Sequence, residues 1–261
     1  MHSDPVSPPR QYSPPHRIEA GHGAGTPVTA SGVVTPHLRH ERALCREGHT
    51  LVVGMDEVGR GAWAGPVSVG VAMMQPHVKV RKMPAWLRDS KQLSEARRES
   101  IFEAVGTWCV DWAVGHASPA ECDEWGMTIA LRVAAERALG GLHHPPDALI
   151  VDGPLNLLRR SDGTEGAFSG PVRAVIGGDA ICASVAAASV LAKVERDRLM
   201  RSEAEHFPLY GFEQNKGYPS PYHQTALRGY GLSAIHRRSW SFVHDLPWGL
   251  GCQTTLADSA K

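Results

Sequence analysis

Two adjacent carboxylates, Asp56 and Glu57, end the apolar run Leu51-Val52-Val53 and stand just before Gly59-Arg60-Gly61. Carboxylates at the end of a buried strand are costly unless something positive meets them. A bound divalent cation is the partner this pattern suggests. The glycines let backbone approach a bulky ligand closely, and Arg60 sets a fixed positive charge beside the acids. The combination points to metal-dependent chemistry on a phosphate backbone.

Two further acids share this setting. Asp152 follows the apolar stretch Ala148-Leu149-Ile150-Val151, and Asp179 follows Val172 to Ile176 and Gly177-Gly178. Sites in α/β sheets gather at strand ends, so Asp56, Glu57, Asp152 and Asp179 are expected to converge. Oxygen-only ligands favour Mg²⁺ or Mn²⁺ over zinc. Two such ions about 3.5–4 Å apart can activate a water and stabilise the leaving oxygen of a phosphodiester. Taken singly, Asp152 or Asp179 reads as a cap or turn former; the set of four carries the functional reading.

The elements that must position these acids interleave. Leu51 to Asp56, Val67 to Met74 and Asp111 to Ala117 read as strands, the first two joined by a Gly-rich turn and therefore antiparallel. Helices are expected after Ser94 and after Ser118, where Ser118-Pro119-Ala120-Glu121 has the form of a capping box with proline at the first helical position. Ile129, Val133, Ala134 and Ala138 follow helical spacing up to Gly140. Ala148 to Asp152 and Val172 to Ile176 are short buried strands. Asp179 opens a long helix with Ile181, Val185, Ala188, Ala192 and Leu199 on one face, and Ser220-Pro221 starts a short helix that stops near Gly229 or Gly231. The alternation is that of an α/β domain with a mixed sheet.

Residues 1–45, rich in Pro, Gly, Ser and His, read as a disordered N-terminal tail. Residues 46–245 form the foldable domain, and 246–261 a short flexible C-terminal tail. Of 261 residues, 27 are Lys or Arg and 27 Asp or Glu, so the formal charge is zero, which gives no electrostatic signature of a nucleic-acid binder. The five cysteines lack C-x-x-C spacing, which argues against a zinc site or a disulfide framework and for a reducing, cytoplasmic setting. No apolar run approaches the roughly 20 residues of a membrane span. A monomer is the default expectation.

Motifs in order along the chain resemble those of bacterial ribonuclease HII. They are Met55-Asp56-Glu57-Val58-Gly59-Arg60-Gly61 with Ala64-Gly65-Pro66, Asp89-Ser90-Lys91-Gln92-Leu93-Ser94, and Val151-Asp152-Gly153. Ala186 to Val194 with Arg196-Asp197 follows, then Asn215-Lys216-Gly217-Tyr218-Pro219 and His236-Arg237-Arg238-Ser239. The resemblance implies an RNase H-like mixed sheet flanked by helices, with a small C-terminal helical part. It implies endonucleolytic cleavage of RNA in RNA–DNA hybrids and incision 5′ of a single ribonucleotide in duplex DNA, leaving a 3′-hydroxyl and a 5′-phosphate. Asp56, Glu57, Asp152 and Asp179 would then be the catalytic metal ligands of a two-ion Mn²⁺ or Mg²⁺ site. Gly59, Arg60 and Gly61 would read the ribose 2′-hydroxyl, and Tyr218 would pack on the sugar at the RNA–DNA junction.

Lys91, Lys193, Lys216, Arg237 and Arg238 are candidate phosphate contacts, and Ser90 a candidate hydrogen-bond donor to the substrate backbone. Ser189 suits close helix packing as well as substrate contact, and His236 reads as a structural hydrogen-bonding residue. Two departures stand out: Gly177 occupies a position where many relatives carry a basic residue, and Trp125-Gly126 replaces a polar–aliphatic pair, read as a packing change. The rival functions are a binding protein on the same scaffold without turnover and an exonuclease of another four-carboxylate family. A replication-machinery partner would have either tail to bind.

Overall fold

The computed structural model describes residues 35–76, 82–153 and 168–247. Most of both predicted tails, 1–34 and 248–261, lies outside the described residues. Strand β1 (Val52–Val58) pairs antiparallel with β2 (Val67–Met74), which pairs antiparallel with β3 (Asp111–Ala117). On its other side β1 runs parallel to β4 (Ala148–Asp152), and β4 parallel to β5 (Val172–Val175), for a sheet order β3-β2-β1-β4-β5. Strand alternation sends Val53 and Met55 to one face, where they pack with Ala130, Leu131, Ala134 and Ala138 of helix α3 (Pro119–Gly140). The opposite face meets helix α5 (Ala183–His206), backed by α2 (Glu95–Trp108).

That second face requires close approach. A Cβ on Gly54 would lie 2.2 Å from the Ser184 carbonyl carbon, and one on Gly70 would lie 2.5 Å from the Ala188 carbonyl oxygen. Glycines in the strands and alanines in the helix let the two backbones nearly touch, so the end of β1 is held rigidly against α5. Short helices α6 (Phe212–Asn215) and α7 (Pro221–Tyr230) complete a C-terminal part whose core joins Phe212, Leu227, Phe242 and Val243 to Ala64 and Met200. The capping box forms as expected: Ser118 Oγ accepts from the Glu121 N–H at 3.2 Å and Glu121 Oε2 from the Ser118 N–H at 2.7 Å.

The structure corrects three local expectations. Ordered chain begins before residue 46, because helix α1 (Arg39–Arg46) buries Leu44 and Glu41 against the sheet's α5 side. Asp179 does not open the long helix: it lies in a separate turn, α4 (Gly178–Ile181), and Cys182 at φ −94°, ψ 126° breaks the helix before α5. Trp125-Gly126 is a kink rather than a packing change, since Gly126 has φ 76° inside α3 and Trp125 is exposed. No helix among the described residues is long and apolar enough to cross a membrane.

The break at Cys182 is tied down by α1. His37 donates to the Ile181 carbonyl at 2.9 Å and accepts from the Ala183 N–H at 3.2 Å. The buried Glu41 carboxyl accepts from the Ser184 N–H at 2.8 Å and its hydroxyl at 2.7 Å, capping an α5 N-terminus that has no side-chain cap of its own. Burial pushes the Glu41 pKa up. Its second oxygen is buried with no hydrogen-bond partner among the described residues. Glu41→Ala is therefore expected to cost about 2 kcal/mol in urea denaturation, and Glu41→Gln much less, because a Gln carbonyl can accept both Ser184 bonds. Equal losses for the two would show that the charge, not the cap, matters.

Candidate functional site

The strand register brings the acids together. Met55 pairs with Val151, so Asp56 and Asp152 come next to each other one step further along the parallel strands, on the face shared by Val52, Ala148 and Ile150. Asp152 is held by its neighbour's backbone: Oδ1 accepts from the Gly178 N–H at 2.7 Å. That bond draws the α4 turn to the strand end and brings Asp179 with it. Asp56 Oδ1 accepts from the Glu57 N–H at 2.9 Å, while the Glu57 side chain leaves the strand on the opposite side.

Asp56 is 5% exposed. Burial, with the charges of Glu57 and Asp179 adding, pushes its pKa up to about 7 against the opposing hydrogen bond from Ser189 and the charge of Lys91. Burial also raises Glu57, assisted by the charge of Asp152 and opposed by Arg60, whose guanidinium is 3.9 Å away. Lys91 Nζ donates to Asp179 Oδ2 at 2.8 Å. Partial burial disfavours its ammonium, but the Asp179 bond and the charges of Asp179, Asp56 and Asp89 outweigh that and raise its pKa.

The donor set is all carboxylate oxygen, and its most buried member is driven toward protonation partly by its neighbours' charges. Such a set fits hard divalent cations. As they stand, no three His, Cys, Asp or Glu side chains among the described residues are drawn into one metal cluster. The expected convergence is therefore looser than a ready cage: like charges repel, and the Gly178 N–H and Lys91 each hold one acid by a local bond.

The Gly-Arg-Gly turn is anchored from below. Gly59 has φ 84°, and a Cβ there would lie 2.2 Å from Arg196 Nε. Its N–H donates to the Tyr218 hydroxyl at 3.0 Å. The buried Arg237 donates to the carbonyls of Gly59 at 2.7 Å, Arg60 at 3.0 Å and Gly65 at 3.1 Å. The Arg60 and Gly61 N–H groups find no acceptor among the described residues, and both residues are exposed. The turn thus presents two N–H donors outward over a fixed carbonyl layer.

Several residues read as substrate contacts take other places. Arg237 is wholly buried as this carbonyl clamp. Lys216 is 4% exposed, and its ammonium donates to the Glu213 carbonyl and pairs with Glu95 at 3.2 Å. Ser90 is buried and accepts from the Ser189 hydroxyl at 2.8 Å, and Ser189 is within hydrogen-bonding reach of the Asp56 carboxyl. Lys193 pairs with Asp197 at 2.6 Å, and among the described residues Arg238 is engaged through its backbone N–H, which donates to Asp123 at 2.8 Å. Gly177 sits at φ 68° with open space around its ideal Cβ, so the left-handed turn accounts for glycine there. The residue sequence reasoning missed is Arg196, quoted as part of a motif but not recognised as the buried centre of the loop.

Tyr218 is fixed by a relay of neutral rings. The Ser233 N–H donates to His236 Nδ1 at 2.9 Å, which leaves His236 Nε2–H to donate to His223 Nε2 at 2.9 Å and His223 Nδ1–H to donate to the Tyr218 carbonyl at 2.9 Å. This bears out the structural reading of His236. Burial, with His223 and Arg238 adding, pushes His236 down to about 3. A histidine with a depressed folded-state pKa contributes stability above its unfolded value of 6.5 and loses it as pH falls toward the folded value. The stability advantage of the wild type over His236→Gln should therefore shrink by about 1.4 kcal/mol per pH unit below roughly pH 6.5, measured by urea denaturation. A constant difference down to pH 4.5 would contradict the neutral relay.

Comparison with known proteins places this geometry. The family model described as Ribonuclease HII matches residues 53–243. Ribonuclease HII of Streptomyces coelicolor is 47% identical over 208 residues, covering 79% of this chain and 84% of that protein. The Paracoccus denitrificans protein of the same name is 44% identical over 211 residues, covering 81% and 94%. Among solved structures, the ribonuclease H2 from Pyrococcus horikoshii OT3 superposes with TM-score 0.62 at 29% identity, covering 75% of this chain and 96% of that one. The RNase HII of Archaeoglobus fulgidus, solved in complex with PCNA, gives TM-score 0.60 at 27% identity, covering 73% and 95%.

Proposed function

This chain belongs to the ribonuclease HII family and is a ribonuclease H acting endonucleolytically on RNA–DNA substrates, and we propose that it also incises duplex DNA 5′ of single misincorporated ribonucleotides. The observation that carries the reading is the register of β1 and β4, which sets Asp56 beside Asp152 on one face with Asp179 in electrostatic reach. Asp56, Glu57, Asp152 and Asp179 would hold two Mg²⁺ or Mn²⁺ ions. When bound, such ions supply activation of the attacking water and neutralisation of the leaving 3′-oxygen.

The chain's own groups do the selecting and positioning. The outward N–H groups of Arg60 and Gly61 donate to the ribose 2′-hydroxyl, the one group that separates RNA from DNA at a single nucleotide. Tyr218, its hydroxyl held by Gly59 and its carbonyl by His223, packs its ring on the sugar across the junction without reading a base. Lys91, whose side chain is 71% exposed, reaches a phosphate oxygen. Ser90 acts through Ser189, helping to orient the Asp56 carboxyl. In-line displacement then leaves a 3′-hydroxyl and a 5′-phosphate. A PCNA-type partner, as in the archaeal relative's complex, is the class to test for recruitment, and the four cysteines among the described residues, all free thiols, suit a cytoplasmic setting.

The test is incubation with Mg²⁺ or Mn²⁺ and a labelled duplex carrying one internal ribonucleotide, beside an all-DNA control. A single cut on the 5′ side, absent from the control and abolished by a chelator, is the expected result. No cut from folded protein in either metal would leave a binding protein on the same scaffold.

A further inference from the structure

Trp86 stands in a conformation that tryptophan rarely adopts, as the third residue of a turn closed by the Leu87 N–H donating to the Pro84 carbonyl at 3.2 Å. Its φ is 71°, in the left-handed region, yet the residue is 54% exposed. A bulky side chain at positive φ is strained, and such strain persists where surrounding structure enforces it, often at functional sites. Here Leu87, 1% exposed and packed in the core between α2 and α5, anchors the segment, so Trp86 is thrown outward.

The displayed ring is flanked by cations. The Arg97 guanidinium lies 4.8 Å and that of Arg88 6.0 Å from the ring centroid. Neither arginine has a carboxylate partner among the described residues; Arg88 donates only to Thr35 Oγ1, at 3.3 Å. The nearby acids are engaged elsewhere, Asp89 with the Lys91 N–H and Glu95 with Arg201 and Lys216. An exposed indole between two uncompensated guanidinium groups matches a surface that is both anionic and flat-faced, as a sugar–phosphate strand is.

The distance to the catalytic acids bounds how far along the duplex the contact lies. Lys91, bonded to Asp179, is five residues from Trp86, so the two lie within about 18 Å of each other. At roughly 3.4 Å per base pair, that is no more than about five base pairs of the duplex being cut.

We propose that Trp86, with Arg97 and Arg88, is a second substrate contact, gripping the sugar–phosphate backbone of the duplex flank within a few base pairs of the scissile phosphate. The proposal rests on the nuclease reading above for the identity of the duplex. The ring packs on sugars and the guanidinium groups meet phosphates, so the contact is indifferent to sequence and to ribose.

The test uses the full chain in chelator, with binding read by fluorescence anisotropy so that no cleavage is needed. Substrates carry one ribonucleotide with about twelve base pairs on each side, or are shortened to about one on one side at a time while the other is lengthened, so that the shortened side ends short of the contact. Trp86→Gly relieves the positive φ, so its Tm should equal or exceed that of the wild type. Its Kd for the long duplex should rise about fivefold, and the difference from the wild type should vanish on one of the two shortened substrates. Arg97→Gln should lower the salt dependence of log Kd by about one phosphate contact on the same substrates. A wild-type Kd for Trp86→Gly on every duplex, or an equal loss on every duplex, would overturn the flank contact. Should Trp86→Gly not fold, an unaltered length and salt dependence in Arg97→Gln would overturn it. Wild-type protein that binds with this length dependence but does not cut when metal is added would instead overturn the nuclease reading and leave the contact standing.

Discussion

Replacing Asp56 by Asn is expected to slow cleavage of a ribonucleotide-containing duplex by at least about 10³-fold, without unfolding the protein. Asn keeps an oxygen that can accept the Glu57 N–H and the Ser189 hydroxyl, so the local bonds of β1 survive. What it removes is a buried negative charge beside two others. In chelator the variant should be at least as stable as the wild type, and the direction with pH follows from the shift. A carboxyl whose folded-state pKa is raised from 3.8 to about 7 favours the folded state at low pH and loses that contribution as pH rises through the folded value. The Tm advantage of Asp56→Asn should therefore be larger at pH 8 than at pH 5. Full activity in the variant would sink the assignment of Asp56. Loss of activity together with a collapse in Tm would make it a structural residue.

Much of this architecture was legible because it depends on short-range pattern. Val67 to Met74 and Asp111 to Ala117 read as strands and occupy those residues, and the Ser118 capping box is complete within four positions. The acids were legible for the same reason: each ends or follows an apolar run, and strand ends collect in an α/β sheet. What the sequence could not display is which distant group meets each side chain. Arg237 and Lys216 read as phosphate contacts because both carry charge inside motifs, yet Arg237 meets carbonyls of the Gly59–Gly65 turn and Lys216 meets the Glu95 carboxylate, each from a distant segment. Glu41 sits at the edge of a Pro- and Gly-rich tail and caps a helix 143 residues away. The break at Cys182 has the same origin, because the hydrogen bonds from His37 that hold it cross a comparable separation. Charge type is local information, whereas its use is decided by register and packing.

Arg196→Met should be the most destabilising single change near the site, at about 3–5 kcal/mol, which for a domain of this size lowers Tm by roughly 10 °C or more. Arg196 is wholly buried and spends its fork on three carbonyls: Nε to Pro66 at 2.8 Å, Nη1 to Lys216 at 2.9 Å and Nη2 to Ala64 at 3.1 Å. Those carbonyls belong to the two segments that must meet for the Gly-Arg-Gly turn to face Tyr218, whose ring lies 5.4 Å from the same guanidinium. Met fills most of the stem volume, so the loss isolates three buried acceptors left without donors rather than a cavity. Arg196→Lys should rescue little, because a single ammonium cannot reach three divergent oxygens in the geometry of a planar fork. Cleavage should fall with stability in both variants, and discrimination between ribonucleotide and all-DNA duplexes should weaken in any protein that stays folded, since the turn is then free to shift relative to the tyrosine. Wild-type Tm in Arg196→Lys, measured by calorimetry, would show that one bond suffices and that the fork is not what joins turn to ring.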